Sequence, residues 1–238
     1  MNENLKPRER IILALKDMNV SEAISLLDVL KGKLTIVKVD SLAAVFPQIV
    51  PIITIRGMKV WRDWKYYDTP ATVGNFIKAD IKAGITITTI HTLGGTEMMK
   101  YAVRVAKGTD LKILGITILG DQKSFFREIG IPGAVRTKIT ELSLRAERIG
   151  LSGIVASARE AEYLRRFLKP DTLIVTPGIK PDWMRERRRQ ARTTTPFEAI
   201  KAGADYIVVG SAIYKSPNPS EAVNRIAAEI EKALEERE

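Results

Sequence analysis

A chain of 238 residues, 45% apolar and 28% charged, is globular in composition and long enough for one large α/β domain or two small ones. The absence of cysteine excludes disulfides, thiolate nucleophiles and cysteine-held metals, and the single histidine, His91, leaves acid–base chemistry to lysine, aspartate, glutamate and tyrosine. The net charge of +10 implies an anionic partner, a phosphorylated small molecule or a nucleic acid, although five arginines crowd into 185–192, where solvent is their simplest neighbour.

No apolar run has the length of a membrane span, and the polar opening MNENLKPRER does not read as a signal peptide, so a cytoplasmic protein without a membrane partner is expected. In chain order, short apolar β-branched runs at 11–15, 34–39, 52–61 (broken by Gly57), 85–90, 111–118, 153–156, 172–175 and 206–209 predict strands. Amphipathic stretches at 20–30, 72–83, 95–106, 139–149, 160–167, 196–201 and 219–234 predict helices between and after them. Fully apolar strands alternating with helices define a parallel sheet covered on its faces. Eight such units in this length predict a (β/α)8 TIM barrel, with 1–238 as a single domain. No G-x-G-x-x-G follows the first strand, which argues against dinucleotide binding.

In such a barrel, functional groups sit at the C-terminal ends of strands. Those positions are Lys16, then Lys38 and Asp40, then Asp63, Lys65 and Asp68, followed by His91, Ser157, the turn Thr176-Pro177-Gly178-Ile179, and Gly210-Ser211. Charged side chains follow strands one to three; small, backbone-exposing residues follow strands seven and eight, where phosphate is commonly bound through backbone N–H groups. The stretch Asp63-Trp64-Lys65-Tyr66-Tyr67-Asp68-Thr69-Pro70-Ala71-Thr72 stands out. Alternation places Asp63 and Lys65 on one face, with Asp68 in the turn beyond. An ammonium between carboxylates keeps its charge and can deliver a proton to a reacting carbon. A solvated, salt-bridged loop would read the same way in isolation. His91 reads as a packed barrel residue, and Trp61 and Trp64 as core or dimer contacts. Together the positions predict an enzyme acting on a small phosphorylated metabolite.

ILALK near the start, VKVD at 37–40, DWKYYDTPAT at 63–72, IHTLGG at 90–95, GIVAS at 153–157, TPGIKP at 176–181 and TTPFEAIKAGADYIVVG at 194–210 resemble the orotidine 5′-phosphate decarboxylases, in family order over nearly the whole length. The resemblance implies a homodimeric barrel that converts orotidine 5′-phosphate to UMP without metal or organic cofactor. It implies that Lys38, Asp63, Lys65 and Asp68 form the charged catalytic network, with Lys65 protonating C6, Asp63 against the departing carboxylate and Lys38 on a ribose hydroxyl. Asp68 and Thr72 would reach into the partner subunit's site. Ser157 would bond the pyrimidine edge, while Pro177, Gly178, Lys180, Gln190, Gly210 and Ser211 would lie on the phosphate side.

Two positions depart from the family pattern. Lys16 stands where the family has an aspartate on a ribose hydroxyl, and Ser211 stands where it has an arginine on the phosphate. Asp17 is a candidate for the first role, Asp40 a candidate partner for Lys16, and Lys180 or an arginine of 185–192 a candidate for the missing cation. Alternatives are a related sugar-phosphate enzyme of the hexulose-phosphate synthase or keto-gulonate-phosphate decarboxylase type, which would need a metal, and a non-catalytic nucleotide-phosphate-binding barrel. Nucleic-acid binding is not expected, because the arginines share one loop and no aromatic platform is interleaved with them.

Overall fold

The computed structural model describes residues 5–16, 18–118, 128, 134–184 and 193–237. Eight parallel strands close into a barrel in sequence order: β1 (Ile11–Leu15), β2 (Ile36–Val39), β3 (Lys59–Tyr66), β4 (Ile87–His91), β5 (Lys112–Ile116), β6 (Gly153–Val155), β7 (Leu173–Thr176) and β8 (Tyr206–Val209), with β8 paired to β1. The described helices are α1 (Val20–Leu30), α2 (Ser41–Val45), α3 (Ile49–Thr54), α4 (Pro70–Lys82), α5 (Gly95–Ala106), α6 (Val135–Ile149), α7 (Ala158–Leu164), α8 (Pro196–Lys201), α9 (Ser211–Tyr214) and α10 (Pro219–Glu235). The (β/α)8 architecture expected from the alternation of patterns is therefore present.

Local chemistry explains where the helices begin. α4, α8 and α10 each start with a capping side chain followed by proline: Thr69-Pro70, Thr195-Pro196 and Asn218-Pro219. The cap oxygen accepts an otherwise orphaned N–H, and proline at the first helical position gives up an N–H that has no partner there. α1 begins with a reciprocal box in which Asn19 accepts from the Glu22 N–H and Glu22 accepts from the Asn19 N–H. Gly150 ends α6 in the left-handed region at φ +100°, a conformation that favours glycine.

Two apolar layers follow from the period of two in the strands. Ile12, Ile36, Trp61, Ile87, Leu114 and Val208 fill the barrel, while Leu13, Val37, Val60, Ile113, Ile154 and Ile207 face the helices. Each such side chain contributes about 1.5–3 kcal/mol on burial. Gly153 is where the barrel wall admits no side chain: a Cβ there would lie 2.4 Å from the Leu173 carbonyl oxygen.

The expected strand at 52–61 is not observed. Ile49–Thr54 is instead helix α3, burying Ile49, Val50 and Ile53, and the strand starts only at Lys59. A short apolar run carries no period that separates a buried helix from a buried strand. Gly57, at φ +78°, makes the break between the two elements. As a result Asp63 and Lys65 lie inside β3 rather than beyond its end, and Asp68 lies in the bend before α4.

Candidate active site

Because the strands are parallel and their order is sequential, all of the strand-end residues meet at one mouth of the barrel. β2 and β3 deliver an alternating array of charge there. Lys38 Nζ donates to Asp63 Oδ2 at 2.9 Å and approaches Asp40 Oδ2 at 3.4 Å; Lys65 Nζ lies 3.0 Å from Asp63 Oδ2 and donates to the Asp63 carbonyl at 3.2 Å. The sequence Asp40–Lys38–Asp63–Lys65 thus runs along the rim with the signs alternating. Lys38 and Asp63 are largely shielded, and Lys65 is about one-third exposed, so its ammonium faces the open mouth.

Lys65 reaches this position by an unusual backbone. Its φ is +53°, and among the described residues it is the one non-glycine in the left-handed region. β3 and β4 shift register between Arg62 and Tyr66: Arg62 pairs with Thr88, but Tyr66 pairs with Ile90. Four residues of β3 thus span two of β4, a bulge that re-aims Lys65. Simple alternation predicted that Asp63 and Lys65 would meet, and they do, through this irregularity. Behind the bulge, Arg62 Nη1 donates to buried Asp80 on α4 at 2.6 Å, and the Tyr66 hydroxyl lies 3.1 Å from both Asp80 oxygens. Burial, then Asp80, pushes the Tyr66 phenol above its ordinary range; burial likewise raises the Asp80 carboxyl, against hydrogen bonds and charge from Thr88, Arg62 and Tyr66. This clamp ties β3 to the following helix, α4.

Asp40 pairs with Lys38, and among the described residues no ion pair joins it to exposed Lys16, for which it was a candidate partner. Asp40 caps α2 through Oδ1, which accepts from the Ser41 N–H at 2.6 Å, and its carbonyl accepts from Trp64 Nε1 at 3.1 Å. Burial alone would raise the Asp40 carboxyl, but Lys38 and two hydrogen bonds from Ser41 outweigh it and hold it below the usual aspartate value. Asp17, the other candidate carboxylate, lies outside the described residues.

Two residues that sequence reasoning did not assign to the site complete its floor. Thr89, fully buried on β4, donates to Asp63 Oδ1 at 2.9 Å, and Trp61 Nε1 donates to the same Thr89 oxygen at 2.8 Å. The Trp61 ring also lies beneath Lys38, 5.8 Å from Nζ to the ring centroid. A threonine in a β-branched run signals only strand propensity, so nothing in the sequence marked Thr89. His91, half-buried at the end of β4, has its imidazole held below the ordinary 6.5 by burial first and by the Lys65 charge second.

The remaining expected positions fall around the same mouth. Asp68 is exposed and its Oδ1 accepts from the Thr69 N–H; Thr72 is in the first turn of α4, its hydroxyl 3.0 Å from that of Thr69. Ser157 caps α7 with Glu160. Pro177 and Gly178 follow β7, and Lys180 N–H donates to the Thr194 carbonyl, closing a small bridge between Ile179 and Thr194. Gly210 and Ser211 lead from β8 into α9. Gln190 lies outside the described residues, as does the arginine cluster 185–192. A separate cavity of about 590 Å³, of mixed polar and apolar lining, opens at the other end of the barrel around Ile12, Ile36, Leu114, Lys59, Asp110 and Lys112, away from the charged array.

A closed (β/α)8 barrel that gathers a lysine–aspartate–lysine array at the C-terminal ends of its strands has the layout of a barrel enzyme. Residues 9–226 match the family model described as "Orotidine 5'-phosphate decarboxylase / HUMPS family", and the chain belongs to that family of enzymes. It is 36% identical to an orotidine 5′-phosphate decarboxylase of Wolbachia pipientis subsp. Culex pipiens over 219 residues, covering 91% of this chain and 96% of that protein. It is also 36% identical to one from Geotalea daltonii over 231 residues, covering 94% and 96%. The solved orotidine 5′-phosphate decarboxylase of Lactobacillus acidophilus superposes with a TM-score of 0.80 at 29% identity, over 93% of this chain and 99% of that one.

Proposed function

We propose that the chain, acting as one barrel domain, decarboxylates orotidine 5′-phosphate to UMP, and the observation that carries this reading is the Asp63 carboxylate held between Lys38 and Lys65 at 2.9 and 3.0 Å. With the pyrimidine over this array, the bond from C6 to its carboxylate breaks heterolytically. Carbon dioxide leaves and the electron pair stays on C6. A carbon base of that strength needs a cation at hand, and Lys65 stabilises the developing charge and then transfers a proton from Nζ to C6. The neutral amine regains its proton from water. The step is redox-neutral, and with the Lys65 ammonium stabilising the C6 anion the proposed reaction runs without metal or organic cofactor.

Asp63 serves twice: it holds both ammonium groups and repels the substrate carboxylate, a repulsion relieved as carbon dioxide departs. Lys38, shared with Asp40, contacts the ribose. Ser157 meets the pyrimidine edge, and Pro177, Gly178, Gly210 and Ser211 present the phosphate-side turns, with Lys180 as the cation. Lys16 and Ser211 replace a carboxylate and a bidentate guanidinium, each a change of about 1–3 kcal/mol in grip. The protein works as a homodimer in which Asp68 and Thr72 complete the partner subunit's site.

The test is the loss of orotidine monophosphate absorbance with purified protein beside Lys65→Ala. Turnover abolished by the substitution supports the reading. UMP binding without turnover in either protein replaces it with a non-catalytic nucleotide-binding barrel, and a magnesium requirement with a sugar-phosphate substrate replaces it with the related enzyme class.

A further inference from the structure

The Asp63 carboxylate is gripped from two sides, and the side away from the lysines has a direction built into it. Oδ2 faces Lys38 and Lys65, while Oδ1 takes the Thr89 hydroxyl at 2.9 Å. A hydroxyl has one proton to give, so what it does depends on its other neighbour. That neighbour is Trp61 Nε1, at 2.8 Å from the same oxygen. An indole N–H only donates, so Thr89 Oγ1 accepts there and its single proton is committed to Asp63. Both Trp61 and Thr89 are buried, which removes water as a competing partner and makes an unmade bond expensive.

The location of this relay gives it a purpose. β3 and β4 shift register between Arg62 and Tyr66, so the stretch carrying Asp63 and Lys65 lies where the regular ladder is interrupted. Side chains cross that interruption: Trp61 on β3 reaches Thr89 on β4, which returns to Asp63 on β3. We propose that Thr89 is a positioning residue for the reaction, oriented by Trp61, which locks the rotation of the Asp63 carboxylate and so places the Lys65 ammonium; the inference rests on the decarboxylase reading for its kinetic consequence only. Without the hydroxyl, the plane of the Asp63 carboxylate is free to tilt, and the Lys65 ammonium that it holds loses its fixed reference.

Thr89→Val keeps the shape and removes the hydroxyl, while Thr89→Ser keeps the hydroxyl. In orotidine monophosphate turnover, the valine variant loses roughly ten- to a hundredfold in kcat with KM within about twofold, because it misplaces a group used in the transition state. Serine returns kcat to within about threefold of the parent. A second readout needs no turnover. The chain has three tryptophans, so the indole ¹H–¹⁵N spectrum has three resonances, and Trp61→Phe identifies one. Asp63→Ala shifts the Trp61 indole resonance further in the parent background than in the Thr89→Val background, where only the path through Lys38 over the Trp61 ring remains. Wild-type kcat in Thr89→Val, or an Asp63→Ala shift of the Trp61 resonance that is equal in the two backgrounds, overturns the relay; if the valine variant does not fold, Thr89→Ala takes its place in both measurements. Absence of turnover in the unmodified protein overturns the decarboxylase reading instead and leaves the indole measurement to judge Thr89.

Discussion

Asp40 and His91 flank the two rim lysines and each responds to the lysine beside it. Lys38 divides itself between the largely shielded Asp63 at 2.9 Å and the more exposed Asp40 at 3.4 Å. Partly exposed pairs contribute no more than about 1 kcal/mol, so Asp40→Asn should raise KM for orotidine monophosphate roughly fivefold, with kcat little changed. Steady-state kinetics check it, and an equal fall in kcat would assign Asp40 to the chemistry instead. His91, the sole histidine, reports on Lys65 directly. Its imidazole is held below 6.5 by burial and then by the Lys65 charge. The unfolded chain therefore takes up the proton first as pH falls. Stability from neutral His91 is fully present above about pH 6.5 and is lost as pH falls from there through the folded midpoint. In proton NMR the single histidine should titrate below 6.5, and Lys65→Ala should raise the midpoint part of the way back, since burial, the larger cause, remains. The Asp63–Lys65 pair was legible from sequence because alternation puts residues two apart on one face, although a salt-bridged loop would have read the same way in isolation. Thr89 was not, because its role depends on which residue of β3 it faces.

At the scale of the element, β3 with α4 is where sequence and structure diverge and where the fold is most exposed to substitution. The run 52–61 looked like one broken strand, yet tertiary packing makes its first half α3 and moves the strand forward to Lys59–Tyr66. The other strands carried their own signal, since β-branched runs bounded by turns and helices leave less room for a second reading. What holds the displaced strand is the buried Arg62–Asp80–Tyr66 clamp, with Asp80 fully buried. Asp80→Asn leaves the Arg62 guanidinium without its countercharge in the interior, so it should cost about 3–5 kcal/mol in chemical denaturation. The exposed Glu97–Lys100 pair on α5 is the control, and Glu97→Gln should change stability by less than about 0.5 kcal/mol. Replacing Arg62 and Asp80 together by leucine should cost less than Asp80→Asn alone, because the uncompensated charge goes with the pair. A double variant worse than the single would mean that packing, not charge, is what the clamp supplies.

For the whole molecule, eight strand–helix periods were readable from the chain because each unit must bury the same kind of apolar face, and closure then follows from number and order. The proposed dimer needs a surface on each copy that suits burial against the other. The end of β3 and the start of α4 carry Trp64, Tyr66 and Phe76 in edge and stacked contacts at 6.3 and 4.9 Å, with Trp64 and Phe76 each about 40% exposed. Asp68 and Thr72 lie in the same segment, with Asp68 presenting its charge outward. Aromatic groups left in water beside a charged turn are the composition of an interface core with a polar contribution across it. If Asp68 completes the partner subunit's site, Lys65→Ala and Asp68→Asn are each inactive for different reasons, and mixing them repairs one site. In a hybrid dimer, the subunit carrying Asp68→Asn still has Lys65, and its partner supplies the intact Asp68. Random pairing makes half of the dimers hybrids with one of two sites restored, so an equal mixture, refolded or exchanged to equilibrium, should regain about a quarter of wild-type activity. Should the mixture stay as inactive as its parents while light scattering shows hybrid dimers, Asp68 acts within its own subunit and the shared-site arrangement is wrong.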